Sequence, residues 1–296
     1  MSTVEVDTVE YEGWEHCLRV TNGTVELIAT TEVGPRIVHF GFVGGRNELY
    51  LDDEDLGETD GEEWRLYGGH RLWHAPEDAE RTLRPDNDPL SYEITDDGCV
   101  LTQPTEQQTG MAKEIAVEMS PDDPAVELTH RITNEGLWPV PFAPWGITML
   151  APGGKAVVPL PEGDFDARQP DRSLTLWPYT NPGDGRLEWI DDHLLVRQDD
   201  GEKVKIGASG GEEWTAYVND GHALLKTFEW DPEATYPDMH SGIEVFTVPE
   251  MLELETLVPE RTIEPGETAT HVETWELLEG VSVPETGADV DAMDLP

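Results

Sequence analysis

The sequence predicts an all-β protein, a large antiparallel β-sandwich, and three observations carry that reading. Apolar and polar residues alternate through most of the chain, helical periodicity is hard to find, and Gly, Pro, Asp and Asn punctuate the alternating runs. A length of 296 residues suits one large β domain.

Taken in order, strands are expected at 24–30 and 36–43, followed by a short strand at 70–74 between Gly68, Gly69 and Pro76. In that strand the two-residue period puts His70, Leu72 and His74 on one face and Arg71 with Trp73 on the other. Strands at 91–102 and 111–119 come next. In "AVELTHRITNEG" Val126, Leu128, His130 and Ile132 form an inward face, and Asn134 to Gly136 turn the chain. The Pro- and Gly-rich stretch from Trp138 to Pro182 reads as largely loop. Further strands are expected at 186–197, 203–208, 213–218 and 222–229. "GIEVFTV", "MLELETLV" and "ATHVETWELL" then follow without room for crossover helices, so the connections are those of a meander or sandwich. The domain is read as 1–280, with 281–296 as a loosely held acidic C-terminal tail.

Charge narrows the function. Asp and Glu number 63 against 18 Lys plus Arg, a net charge of −45. Such a surface repels itself in dilute buffer and is screened in concentrated salt, which marks the chain as salt-adapted, or halophilic. It has no basic patch for a nucleic acid or an anionic membrane, no apolar run of the ~20 residues that a membrane helix needs, and no signal-peptide pattern at its start. A cytoplasmic protein is expected. Cys17 and Cys99 have neither metal-site spacing nor a disulfide framework, and read as small buried apolar residues. Composition says nothing about oligomeric state.

"YGGHRLWHAPE", residues 67–77, is the densest cluster of chemistry. A metal reading takes His70, His74 and Glu77 as ligands, but four residues of strand span ~13 Å, too far for one ion unless the segment bends. A carbohydrate reading suits the residue types better: Trp73 offers a ring for the C–H face of a pyranose, Arg71 a forked donor, and His70 or His74 a group that both donates and accepts. The alternative is a core filled by Leu72 and Trp73 with polar residues capping loops. In "MLELETLVP", Glu253 and Glu255 share a face at about 6.6 Å, close enough to couple, although outward glutamates are also ordinary surface in so acidic a chain. Glu244 in "SGIEVFT" carries the same two readings. His130 and His271 read as core histidines. His240, in the loop "YPDMHSG" just before Glu244, stays open between site and loop. Trp145 either walls a cleft or fills the core, and Lys226, with Arg65 and Arg71, offers charge for a phosphate.

The order of these segments resembles that of the galactose mutarotase-like superfamily, the aldose 1-epimerase relatives, over about residues 18–280. The chain runs from "VGPRIVHFGF" through Asn47–Tyr50 and "GGHRLWHAPE" to "LTHRITNEG", and ends on "LELET" and "EPGETATHVETWEL". The resemblance implies a sandwich whose concave sheet binds a monosaccharide, and acid/base interconversion of sugar anomers without a cofactor. Glu255 would be the base, His70 or His74 the acid, and Arg71, Trp73 and Glu244 would shape the pocket, with His240, Trp145 and Lys226 as further contacts. The family's usual acid lies in an Asn-His-x-Tyr-Phe segment, whereas here the stretch reads "FAPWGITML", with Trp145 and no histidine. A non-catalytic carbohydrate-binding protein on the same fold, and a metal-dependent enzyme, are the rival classes.

The charge has a measurable consequence. The thermal unfolding midpoint should rise as KCl increases from ~0.1 M to ~1 M and the Debye length shrinks from about 10 Å to about 3 Å; a calorimetric midpoint independent of KCl would sink the salt-adaptation reading.

Overall fold

A computed structural model describes residues 3–161, 166, 168, 170–293 and 295. Two antiparallel sheets stack face to face. The first has eleven strands, in the order Glu5–Tyr11, Trp14–Thr21, Val25–Thr30, Arg36–Phe42, His70–Ala75, Val140–Leu150, Leu252–Leu257, Ile243–Thr247, Val204–Ala208 and Leu174–Leu176, with Arg261–Ile263 paired separately onto Val140–Leu150. The second has ten, in the order Leu187–Ile190, His193–Arg197, Lys155–Pro159, Trp214–Asn219, His222–Phe228, Thr268–Glu279, Ala125–Asn134, Met111–Met119, Gly98–Thr102 and Ser91–Ile94.

Alternation builds the core between them. In Thr268–Glu279 the residues Ala269, His271, Glu273, Trp275 and Leu277 are buried while Thr268, Thr270 and Val272 are exposed. Val126, Leu128, His130 and Ile132 turn inward beside them, and Asn134 ends that strand by donating to the carbonyls of Trp138 and Ile263 at 2.8 and 2.9 Å. Leu18, Leu27, Phe40 and Leu254 of the first sheet meet Ile115, Leu128 and Trp275 of the second in one apolar cluster. Cys17 and Cys99 are buried and unpaired, and no helix among the described residues is long and apolar enough to cross a membrane.

Two segments differ from their sequence-based reading. The stretch 138–182 contains an eleven-residue strand, Val140–Leu150, at the centre of the first sheet, as well as Lys155–Pro159 and Leu174–Leu176. Prolines argue against a central strand because they cannot donate to the ladder. Here one neighbour pairs residues 140–142 and the next pairs 145–150, so Pro144 falls in the gap between them on that side. The C-terminal stretch is held rather than loose: Gly287–Asp291 is a short helix closed by a capping box of Thr286 and Asp289, Val290 is 3% exposed against Val157 and Leu195, and Lys155 Nζ donates to the Pro284 carbonyl at 3.0 Å.

The core also holds charge. His70 Nε2 lies 2.7 Å from His130 Nε2 across the gap between the sheets, and His70 Nδ1 lies 2.9 Å from the Thr148 hydroxyl. Behind them Lys226 Nζ sits 2.9 Å from Glu273 and donates to the Thr148 hydroxyl at 3.0 Å, while Trp275 Nε1 donates to Glu273 at 2.7 Å and Thr256 bridges Glu273 and His271. Gly146 makes room for this network, because a Cβ there would stand 2.8 Å from Glu273 Oε1. Burial opposes ionisation of Glu273, yet Lys226 holds its carboxyl well below the ordinary range, so the pair stays charged. Removing one partner strands the other without compensation. Lys226→Met should therefore cost about 3–5 kcal/mol in denaturant unfolding at high KCl, and Lys226→Met with Glu273→Gln should recover much of it; an undiminished midpoint in the single variant would refute the pairing.

Candidate functional site

The outer face of the first sheet, turned away from the second, collects a different set of residues. His70, Leu72 and His74 use the inner face of their strand, so Arg71 and Trp73 point outward. Register then lays out rows across the sheet: Arg71 beside Ile147, Glu255, Glu244 and Gly207; Trp73 beside Trp145 and Leu257; and Met149 beside Glu253, Phe246 and Lys205. Neighbouring strands lie about 4.8 Å apart, so each row brings its side chains within reach of one another. The entry of the His70 strand is fixed by Gly68 and Gly69 at φ +89 and +74, where a Cβ would collide with the carbonyls of Tyr50 and Ile37.

Five charges meet on this face. Lys205 Nζ forks between Glu244 at 2.7 Å and Glu255 at 2.9 Å, and Arg71 approaches Glu253 at 3.6 Å. Aromatic rings wall them: Lys205 lies over Trp145 and Trp177 at 4.6 and 4.8 Å, and Arg71 over Trp73 and Trp64 at 3.9 and 5.3 Å. The result is nearly closed to solvent, with Glu244 and Glu255 fully buried, Arg71 at 3% and Lys205 at 5% exposure.

Three carboxylates against two cations leave one negative charge too many for a buried site. Burial works against the Lys205 ammonium, but Glu255 and Glu244 outweigh it and raise its pKa. Burial raises Glu244 well above the ordinary range. Glu253 is pushed up to about 7 by burial and by the charge of Glu255, with Arg71 and Lys205 opposing. Burial lowers Arg71 to about 10. Several polar atoms here are buried yet have no hydrogen-bond partner among the described residues: Arg71 Nε and NH1, Trp145 Nε1, Glu244 Oε1 and Glu255 Oε1. Buried polar groups are ordinarily satisfied, so a set of free donors and acceptors in one place sets this face apart from the rest of the core.

Of the residues singled out in the sequence, the structure thus brings together Glu255, Glu244, Arg71, Trp73 and Trp145, with Glu253 beside them. It does not bring His70, His74, His240 or Lys226 to them. The reason is the strand period. His70 and Lys226 face inward into the network between the sheets. His74, on the same inner face as His70, packs 6.0 Å from Phe142, and burial lowers its pKa to about 3. His240 stands 5.0 Å from Trp230 and lines a cavity of about 620 Å³ with Ser209 and Glu213. The cations considered for a phosphate are also apart: Arg65 is bound by Glu58 and Asp55, and Lys226 by Glu273.

The metal set of His70, His74 and Glu77 is not assembled, because His70 is bonded to Thr148 and His130. His70, His130 and Glu273 do offer one atom each within 4.8 Å. The two imidazoles already bond directly, however, and Lys226 supplies the positive charge at Glu273, so this donor set fits a hydrogen-bonded network rather than a cation. Lys205, Trp64 and Trp177 were missed in the sequence. Lys205 left a signal: it interrupts the apolar pair Val204 and Ile206 in a chain with only five lysines.

No family model and no curated protein matches the sequence. Solved structures do match. A galactose mutarotase-like protein from Lactobacillus casei superposes with a TM-score of 0.61 at 10% identity, over 88% of this chain and 100% of the other. The chain has the galactose mutarotase-like fold. Two proteins provisionally named aldose 1-epimerases superpose as well. The one from Klebsiella pneumoniae does so at TM-score 0.60 and 12% identity over 98% of this chain and 85% of its own, and the one from Escherichia coli K12 at 0.58 and 13% over 93% and 99%. Likeness at such identity is a likeness of architecture.

Within this mutarotase-like sandwich Lys205 is the counter-ion on which two buried carboxylates depend. Lys205→Met should destabilise the protein by about 3–5 kcal/mol at pH 8. The deficit should shrink at pH 5.5, because stranding the carboxylates raises their folded pKa values and proton uptake then favours the folded state. A deficit equal at both pH values in denaturant titrations would count against the fork.

Proposed function

We propose that the outer face of the first sheet is a carbohydrate site and that it interconverts sugar anomers, with Glu255 as the general base. The observation that carries this reading is the convergence of Glu255, Glu244, Glu253, Arg71 and Lys205 between Trp64, Trp73, Trp145 and Trp177, with free donors and acceptors left over. Tryptophan faces suit the C–H faces of a pyranose, and Arg71 and the carboxylates suit its hydroxyls. Names carried by the structural neighbours point the same way, since they include a galactose mutarotase-like protein and aldose 1-epimerases by provisional assignment.

In this reaction a base takes the proton of the C1 hydroxyl while an acid protonates the ring oxygen. The C1–ring oxygen bond breaks, the resulting carbonyl rotates, and the ring closes on its other face. Glu255 suits the first task because Lys205 at 2.9 Å holds one carboxylate oxygen in place while Oε1 stays unbonded and free to accept the proton. The unpaired, buried cysteines and the acidic surface fit a salt-rich, reducing cytoplasm, where we place the protein.

Polarimetry and NMR of freshly dissolved sugars in concentrated KCl test the proposal. Wild type should speed anomer exchange, and Glu255→Gln should lower the rate by about 10²- to 10⁴-fold while sugar binding persists. Binding without exchange across a broad sugar panel would favour an accessory binding protein instead.

A further inference from the structure

We infer that Glu253 is a catalytic residue, the general acid that protonates the ring oxygen while Glu255 takes the C1 hydroxyl proton. The inference rests on the anomer-interconversion reading and deepens it, because the sequence lacks a histidine in the segment where the resemblance expects the acid and the described structure turns His70 and His74 to the opposite side of the sheet.

Geometry separates the three carboxyls. Lys205 lies 2.7 Å from Glu244 and 2.9 Å from Glu255, within hydrogen-bonding distance of both. Glu253 has no comparable clamp. Its cation is Arg71 at 3.6 Å, beyond a hydrogen bond, and that guanidinium is drawn over the ring of Trp73 at 3.9 Å. Of the three carboxyls, Glu253 is thus the one with no cation within hydrogen-bonding distance. Its position suits the task. Glu253 and Glu255 share one face of the Leu252–Leu257 strand two residues apart, about 6.6 Å, close enough to act on neighbouring oxygens of one sugar.

The charged groups acting most strongly on Glu253 are Glu255 on its own strand, Arg71 and Glu77 from the His70 segment, and Lys205 from the Val204–Ala208 strand. Burial and Glu255 together hold the Glu253 carboxyl at about 7, matched to donating a proton near neutral pH. The proton balance closes. Glu253 gives its proton to the ring oxygen as the C1–oxygen bond breaks, and Glu255 accepts the hydroxyl proton as the carbonyl forms. After rotation Glu255 returns its proton to the carbonyl oxygen and Glu253 recovers the other from the ring hydroxyl, so both groups end as they began.

The test is the pH profile of anomer exchange for wild type, Glu253→Gln and Glu253→Asp, with sugar binding followed by tryptophan fluorescence. Wild-type exchange should fall as pH rises through about 7. Glu253→Gln should bind sugar, lose about 10²- to 10³-fold in rate and lose that alkaline limb; Glu253→Asp should keep the limb at reduced rate and so exclude a folding defect. An undiminished rate in Glu253→Gln, or a slowed rate that keeps the wild-type limb, overturns the inference while leaving Glu255 as base. Absence of exchange in wild type overturns the parent reading and this one together.

Discussion

Buried carboxylates need counter-charge, and in this protein lysine supplies most of it from a very small stock. Of five lysines in the chain, Lys113, Lys155, Lys205 and Lys226 are buried, and each meets at least one glutamate within 3 Å: Glu106, Glu188, the pair Glu244 and Glu255, and Glu273. A surface this rich in carboxylates keeps itself hydrated without lysines. Three of them, Lys113, Lys205 and Lys226, sit where a buried carboxylate would otherwise be stranded in low dielectric, at a cost of several kcal/mol. Their scarcity is therefore informative.

The two sides of the first sheet divide that charge between different tasks. On the inner side His70, His130, Thr148, Thr256, Lys226 and Glu273 bond one another, with His70 and His130 kept neutral by burial. On the outer side the bookkeeping does not close, since one carboxylate is in excess and donors on Arg71 and Trp145 go unused. A connected hydrogen-bond network of this kind rigidifies the strands that carry it, whereas groups left without partners on the outer side are what a ligand can complete. The same three strands, His70–Ala75, Val140–Leu150 and Leu252–Leu257, serve both sides through alternate residues.

Much of this was legible beforehand. Alternation in 125–134 and 268–279 announced the inner face, and the pairing of Glu253 with Glu255 and of Arg71 with Trp73 on shared faces follows from the strand period alone. The central strand at 140–150 was not legible, because Pro141 and Pro144 mimic loop chemistry and only the gap between two partner strands makes Pro144 tolerable. Nor was the partnership of Lys205 with Glu244 and Glu255, which are 39 and 50 residues away in sequence.

The sequence by itself determined the sandwich class, the acidic surface and which side chains travel together on each strand, because these depend on a two-residue period and on composition. Tertiary structure decided which of the two faces of each strand is interior. Periodicity marks two sides but does not label them when both are buried, as they are throughout His70–Ala75. That choice sent His70 and His74 inward and Arg71 outward, and it placed the carboxylates of one hairpin beside a lysine contributed by another strand, a convergence set by the folding of distant segments rather than by any local preference.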